Sequence, residues 1–349
     1  MKHVAAAAGV SVMTVSLALR RAPSIPTETR ERVLAVAGKM GYRRNPLVAA
    51  LMADLRGKKV RGPEAHVLAY VESYPPGGPP QQTGSLSRFR DGVIAGAAKH
   101  GFGVQLFRLG DGGLSEARLE QVLEARGVRG LVFAPFPQTG SVLTQAWRNH
   151  ALAALGFSLA GPALHRAVNH QTQSIRLALT ELRALGYRRI GLVMRRHEDE
   201  RTGRSWLSSV LLAQHDAAGT ELRYPLLLVE KIERRPLLAW VKAERPDVVV
   251  TTEPEVQKML PRQLLGSGSR VGFAHLHLTP DSNGCSGIDQ NNERVGEAAV
   301  DLVVEQLHGN VFGFPENPKT VLIEGKWVTG ETTARMVAEH LALKGPHGR

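Results

Sequence analysis

The strongest constraint on this chain lies in its first fifty residues, where two short helical patterns flank a turn that contains one glycine. The segment 4–8 is rich in alanine and suits a helix. Ser11 stands where a helix N-cap is expected, because its hydroxyl can accept from the free backbone amides of the next turn. Val15, Ala18 and Leu19 then recur at i, i+3 and i+4, which indicates a second helix packed on the first. This arrangement is typical of a helix-turn-helix, and an ordinary three-helix core is the alternative.

A third helix is predicted to follow, with Pro26 in its first turn. Glu28 and Glu31 would lie near its positive N-terminal end, and Gly41 would end it. Its apolar face is expected to consist of four residues: Val33, Leu34, Ala37 and Met40.

The motifs V-A-x-x-A-G-V-S-x-x-T-V-S, T-R-E-R-V and G-Y-x-x-N follow one another without a gap over residues 4–52. Here the chain resembles the lactose-repressor (LacI/GalR) family of transcription regulators. The resemblance implies an all-α helix-turn-helix DNA-binding head, a hinge, and an α/β two-lobed regulatory domain of the type I periplasmic-binding-protein-like class with parallel sheets. The implied divisions are 1–44 for the head, 45–62 for the hinge helix and linker, and 63–340 for the effector-binding and dimerisation domain. Within the last, the N-lobe would take about 65–157 plus 290–314, and the C-lobe about 160–286 plus 318–340.

The charge of the chain is concentrated in this first segment. Residues 1–62 contain 12 Lys/Arg and 3 Asp/Glu, a net charge of +9 out of +12 for all 349 residues. A basic segment on a nearly neutral body is what a phosphate-binding head requires. A charge that served only solubility would be spread more evenly.

Other classes of protein are disfavoured by what the residues offer. Cys285 is the single cysteine, so neither an intramolecular disulfide nor a cysteine-based zinc site is expected. No Walker loop or H-E-x-x-H motif occurs, and we expect no catalytic site, metal or cofactor. No apolar stretch reaches about 18 residues and the N-terminus lacks a signal-peptide core, which predicts a cytoplasmic protein without membrane contact.

Beyond a basic Gly/Pro-containing linker, short apolar runs alternate with helical patterns. Examples are the strand patterns 67–71, 130–134, 188–194 and 247–251, separated by patterns such as the predicted helix 142–150. This alternation argues for parallel sheets with helical crossovers. The family resemblance continues, more loosely, through residues 185–192 and 288–290.

By resemblance, Val12, Met13 and Leu17 would face base edges, while neighbouring hydroxyls hold the phosphate backbone. These three side chains are apolar, so they can contact thymine methyl groups but cannot make bidentate hydrogen bonds. Part of the discrimination between DNA sequences is therefore expected from Arg20 and Arg21. For Val12 and Leu17, packing in the core of the head is the alternative role. The full set of predicted DNA-binding residues is Ser11, Val12, Met13, Thr14, Ser16, Leu17, Arg20, Arg21, Tyr42, Arg43, Asn45 and Leu51.

The run after Asn45 corresponds to the family's hinge helix, which forms on the operator and pairs with that of the second subunit. Leu51 matches the leucine that wedges into the minor groove, where an apolar side chain unstacks a base step. The segment spans about two turns and is too short to be helical alone in water, so DNA could control its folding. A plain amphipathic linker helix is the alternative.

The predicted ligand cleft departs from the family pattern. Sugar-binding members usually carry Arg, Asn-Asp and Asp at stretches that here read 200–206, 251–255 and 272–275, and two acidic ligands are missing or moved. The remaining candidates for effector contacts are Arg201, Trp206, Glu253, His275 and Gln290. A carbohydrate effector is therefore less secure than the family alone implies.

Together these features predict a homodimeric, sequence-specific transcription regulator acting as a repressor. Its operator would be pseudo-palindromic double-stranded DNA, and a small molecule, a sugar or related metabolite, would control its affinity. The alternative is a cytoplasmic small-molecule-binding protein whose head no longer binds DNA.

Overall fold

The computed structural model describes most of the chain. The described residues are 2–19, 22, 24–40, 66–73, 84–110, 112–145, 147–260, 271–280, 282 and 284–333.

The head contains three helices, α1 (Lys2–Ala8), α2 (Val12–Ala18) and α3 (Thr27–Lys39). Their common core is formed by Val4, Ala5, Ala8, Val15, Ala18, Val33 and Ala37. The predicted helix-turn-helix is thus present, with Pro26 as the residue before α3 rather than in its first turn. The predicted apolar face of α3 was wrong in part. Leu34 and Met40 are 37% and 47% exposed, because the helix turns its Val33–Ala37 side to the core.

The first lobe is built on a six-stranded parallel sheet of order β13-β7-β5-β3-β1-β2. Two of its helices, α4 and α11, cover one face, and α5 covers the other. The elements are β1 (Val67–Ser73), α4 (Gly84–Lys99), β2 (Gly103–Leu109), α5 (Glu116–Arg126), β3 (Gly130–Phe133), β5 (Ala151–Leu155), β7 (His165–Asn169), α11 (Asn292–Gly309) and β13 (Thr320–Ile323). A small parallel pair, β4 (Ser141–Val142) and β6 (Leu159–Gly161), lies beside them.

The second lobe has a six-stranded sheet of order β14-β12-β11-β10-β8-β9, parallel except for the β12–β14 pair. Its elements are α6 (Gln171–Ala184), β8 (Ile190–Arg195), α7 (Arg196–Arg201), α8 (Ser205–Asp216), β9 (Leu226–Val229), α9 (Arg234–Glu244), β10 (Val248–Thr251), α10 (Pro254–Met259), β11 (Gly272–His275), β12 (Ser286–Asp289) and β14 (Lys326–Val328). The two-lobed α/β body with parallel sheets is thus confirmed.

Helix α11 fills the core of the first lobe although it follows the second lobe in sequence. Val295, Ala299, Val303 and Leu307 recur along one face and are buried against the sheet. Helices α4 and α11 approach closely, and glycines make the approach possible: a Cβ at Gly92 would lie 2.6 Å from the carbonyl carbon of Glu293.

The chain crosses between the lobes three times, at 169–171, 290–291 and 324–325, and hydrogen bonds join these crossings pairwise. The amide group of Asn169 donates to the carbonyl of Gln290 at 2.8 Å, and that of Asn291 donates to the carbonyl of Glu324 at 2.7 Å. The backbone N–H of His170 donates to Ile323 at 2.7 Å. The three crossings therefore form one hinge.

Two predictions about the body are corrected. Strands β7 and β13 belong to the first sheet, whereas the predicted boundaries placed residues 160–169 and 320–323 in the second lobe. Each of these strands is hydrogen-bonded within the first sheet, and the chain crosses to the second lobe only after the strand ends. The predicted helix 142–150 is absent among the described residues of that stretch, where Leu143 and Trp147 are buried singly within the core instead.

Candidate DNA-binding and ligand-binding sites

The second helix of the head has the geometry that a major-groove reader needs at its start. The Ser11 hydroxyl accepts from the backbone N–H of Thr14 at 3.0 Å, and the two side-chain oxygens lie 2.9 Å apart. The predicted N-cap is therefore confirmed. A capped N-terminus fixes the direction in which the first turn presents its side chains.

That first turn exposes apolar side chains. Val12 and Met13 are 41% and 66% exposed, whereas Val15 and Ala18 on the opposite side are fully buried. Leu17, Thr14 and Ser16 are half-buried. Core packing is excluded for Met13 and is at most partial for Val12, so both side chains are available to a partner. The other six predicted DNA-binding residues lie outside the described residues: Arg20, Arg21, Tyr42, Arg43, Asn45 and Leu51.

In the body, the predicted ligand residues follow the carboxyl ends of strands in the second lobe, at the edge where parallel α/β sheets bind ligands. The structure does not bring all five together. Trp206 and Gln290 join the hinge, Glu253 joins an ion pair, His275 is buried beside Phe273, and Arg201 reaches the first lobe.

Trp206 and Gln290 are linked through Gln171, which was not predicted. The indole N–H of Trp206 donates to Gln171 Oε1 at 2.8 Å, and Gln171 Nε2 donates to Gln290 Oε1 at 2.9 Å. Gln290 Nε2 then donates to the carbonyl of Leu276. Because an indole nitrogen can only donate, the direction of the whole chain of bonds is fixed. Both predicted residues are buried and tie α8 to the hinge.

A second polar chain crosses the hinge. Asn169 Nδ2 donates to Asn292 Oδ1 at 2.9 Å, and Asn292 Nδ2 lies 3.0 Å from His277 Nε2. With the Asn292 oxygen already accepting, its amide nitrogen must donate, so His277 Nε2 is the acceptor and the ring is neutral. Burial agrees, since it lowers the pKa of His277 to about 4. Two asparagines, Asn291 and Asn292, directly follow the predicted Gln290 in the sequence. This run of amide side chains could have identified the hinge network, but it was not predicted.

Glu253 already forms an ion pair, and His275 is buried. Glu253 accepts from Arg195 Nε at 2.7 Å. Burial raises the pKa of Glu253, and the guanidinium of Arg195 acts in the opposite direction. His275 is 2% exposed, and burial lowers its pKa to about 4. Its Nδ1 has no hydrogen-bond partner in the described part of the chain.

Arg201 is the one predicted ligand residue that spans the cleft. Its Nη1 donates to the carbonyls of Phe136 and Pro137, at 2.9 Å each, in the loop that follows β3 of the first lobe. The backbone of Gly203 also faces the first lobe, since a Cβ added there would be 3.9 Å from the ring of Phe157. The lobes thus touch at the α7–α8 turn as well as at the hinge.

Searches of the described residues for two other kinds of site returned nothing. They contain no group of three or more His, Cys, Asp or Glu side chains arranged for a metal ion. None of the helices described has both the length and the apolar character needed to cross a membrane.

Comparison with known proteins agrees with this architecture. The family "Bacterial regulatory proteins, lacI family" matches residues 1–45. No curated protein matches the chain. A LacI transcriptional regulator from a Rhodococcus species is 15% identical with a TM-score of 0.56, covering 77% of this chain and 99% of its own.

Two further structures extend over the head as well. The lac repressor dimer bound to operator and the anti-inducer ONPF is 18% identical with a TM-score of 0.54, and the CelR–cellobiose complex is 18% identical with a TM-score of 0.51. Both alignments cover 95% of this chain and 98% of the other. At such identities the similarity shows the fold. The head thus matches the model of the lacI family of bacterial regulatory proteins over residues 1–45, and the body has the two-lobed fold of the solved regulators.

Proposed function

We propose that this protein is a homodimeric transcription regulator that represses from a pseudo-palindromic operator and is controlled by a small molecule in the interlobe cleft. One observation carries the proposal: a capped recognition helix with Val12 and Met13 exposed, in a segment that holds +9 of the chain's +12 charge. Basic side chains would neutralise phosphates while the apolar pair contacts thymine methyls. No catalytic role is assigned.

The cleft supports the second half of the proposal. The three crossings are hydrogen-bonded into one hinge, and Arg201 joins the lobes on another side. A ligand that alters the Arg201 contact would therefore change the angle between the lobes, which is the kind of two-state element an effector can bias. Among the similar structures, one repressor carries an anti-inducer and another regulator carries cellobiose, which favours a carbohydrate or related effector here.

The test is a gel shift of the full-length protein against DNA from upstream of its own gene, repeated over a range of salt concentrations. We expect specific binding with a steep negative slope of log K against log salt, about 0.9 per neutralised phosphate. Binding to the native sequence that is no tighter than to a scrambled one, with a flat slope, would favour the alternative of a ligand-binding protein with an inactive head.

A variant separates the two halves of the proposal. Met13→Ala shortens the most exposed apolar side chain of α2 without removing charge. Specific affinity should fall by a few-fold, since a methyl contact is weaker than a bidentate hydrogen bond, while the salt slope stays unchanged. Leu34→Ala, an exposed apolar residue on α3, is the matched control and should bind the operator like the wild type.

A further inference from the structure

Two half-buried arginines face the same small region of the cleft without an acidic partner. Arg201 donates only to the carbonyls of Phe136 and Pro137 in the described structure. Arg166 on β7 donates to the carbonyls of Gly156, at 3.3 Å, and Leu159, at 3.4 Å. Among the described residues, neither guanidinium forms an ion pair with a carboxylate.

The loops that carry these carbonyls are joined to one another. The backbone N–H of Phe136 donates to the Ser158 hydroxyl at 2.7 Å, and both residues are buried. Phe157 precedes Ser158 in the same loop. The Arg166 guanidinium is 5.5 Å from its ring centre, and the turn after Arg201 approaches the same ring at Gly203. The two arginines therefore bond to joined loops at the carboxyl ends of β3 and β5, and Arg166 also lies over the ring of Phe157.

Nearby carboxylates are already engaged elsewhere. Asp199 is 2% exposed, and its Oδ1 accepts from the backbone N–H of Leu207 at the start of α8. Glu200 pairs with Arg204 at 3.3 Å. Burial lowers the pKa of Arg166, as expected for a cation removed from water with no counter-charge beside it.

We propose that Arg201 and Arg166 form an anion site, so that the effector carries a carboxylate or phosphate group rather than being a neutral sugar. The inference rests on the proposed regulatory function. An anion adds Coulombic attraction to the guanidinium and can accept two parallel N–H bonds from it, which a neutral carbonyl cannot match. An anion would therefore take Arg201 away from the Phe136 and Pro137 carbonyls and break this contact between the lobes.

The experiment measures thermal stability and ligand binding of the full-length protein with three probes at matched ionic strength in sodium chloride. Inorganic phosphate represents the phosphate source, glucuronate the carboxylate source, and glucose is the neutral counterpart. We expect phosphate, glucuronate or both to raise the Tm above the chloride reference, and glucose to raise it less. The more effective anion identifies the group.

Arg166→Gln and Arg201→Gln should each weaken binding of that anion by at least about tenfold, because hydrogen bonds to charged groups are the strong ones. Arg183→Gln is the control. Arg183 likewise donates to a carbonyl, but it is exposed and lies on α6 away from the cleft, so its loss should leave binding unchanged. Each variant's Tm shift is taken relative to its own ligand-free Tm, which removes any effect on folding.

The proposal is overturned if neither anion exceeds chloride, if glucose stabilises as strongly as the more effective anion, or if both cleft variants respond like the wild type. A gel shift with the same preparations keeps this separate from the proposed function. Loss of operator binding by the wild type contradicts the regulator, whereas a failed anion titration with intact operator binding contradicts only the anion site.

Discussion

The close contact of α4 and α11 makes a quantitative prediction for Gly92→Ala. The added Cβ would lie 2.6 Å from the carbonyl carbon and 2.7 Å from the Cα of Glu293, about 1 Å less than an ordinary van der Waals contact. Both obstacles are backbone atoms, so the helices themselves must separate. A gap of that size forfeits roughly a quarter to a half of the contact energy along the interface.

The magnitude follows from the side chains at that interface. Val93, Ala97, Ala299 and Val300 are fully buried there, and each such aliphatic side chain contributes on the order of 1–3 kcal/mol. Losing part of this packing energy costs about 3–4 kcal/mol of folding free energy. The better helix propensity of alanine offsets about 1 kcal/mol of that cost. We therefore expect a net loss of about 2–3 kcal/mol, which lowers the Tm by roughly 4–12 °C for a lobe of this size.

Differential scanning calorimetry of the full chain measures this change. Gly309→Ala is the matched control: it lies at the end of α11, where the added Cβ would meet Val311 at an ordinary 3.4 Å, so its Tm should not fall below that of the wild type. A Tm for Gly92→Ala equal to that of the control would refute the close-contact argument.

Three further outcomes are expected. Burial lowers the pKa of His150 to about 4, whereas the pKa in the unfolded chain is about 6.5. Between these two pH values the unfolded chain binds more protons than the folded protein. The free energy of unfolding therefore falls as the pH is lowered, by up to about 1.4 kcal/mol per pH unit. His150→Phe should remove this contribution from urea unfolding measured at a series of pH values, and an unchanged pH slope would contradict the assignment. Trp206→Phe leaves Gln171 Oε1 without its donor and should cost about 1–3 kcal/mol, whereas Trp327→Phe, whose indole bonds Thr329 at the surface, should cost under about 0.5 in the same thermal measurements. Leu51→Ala, outside the described residues, should lower specific operator affinity by about 1 kcal/mol or more while non-specific binding keeps its salt slope; early melting with normal operator affinity would instead identify a core residue.

The head was predictable because each of its features is local. The Ser11 cap, the following turn and the i, i+3, i+4 spacing are read within one or two helical turns, and the structure confirms them. Leu34 and Met40 show the limit. Whether an apolar residue on α3 faces inward depends on how α3 is rotated against α1 and α2, and that rotation is a tertiary property.

The body was predictable as alternating strands and helices, but not in how its strands are shared. Strands β7 and β13 are short, and they belong to the first sheet only because β7 pairs with β5 and β13 pairs with β7. The cleft was least accessible. Arg201 was identified by its position after β8, but its acceptors lie more than sixty residues earlier in the chain. No sequence motif indicated Arg166 as a candidate for ligand binding.

The late position of α11 has a consequence for synthesis of the chain. About 140 residues, the whole distance from the end of β7 to the end of α11, must be translated before the first sheet can cover one of its faces. At roughly 5–20 residues per second this takes about 7–28 s. During that time α4 can cover only part of this face, and the part that later meets Val295, Ala299, Val303 and Leu307 is exposed on the nascent chain. The first lobe to be made is therefore still incomplete when most of the second lobe has been made, and chaperone binding to ribosome-bound chains should concentrate there.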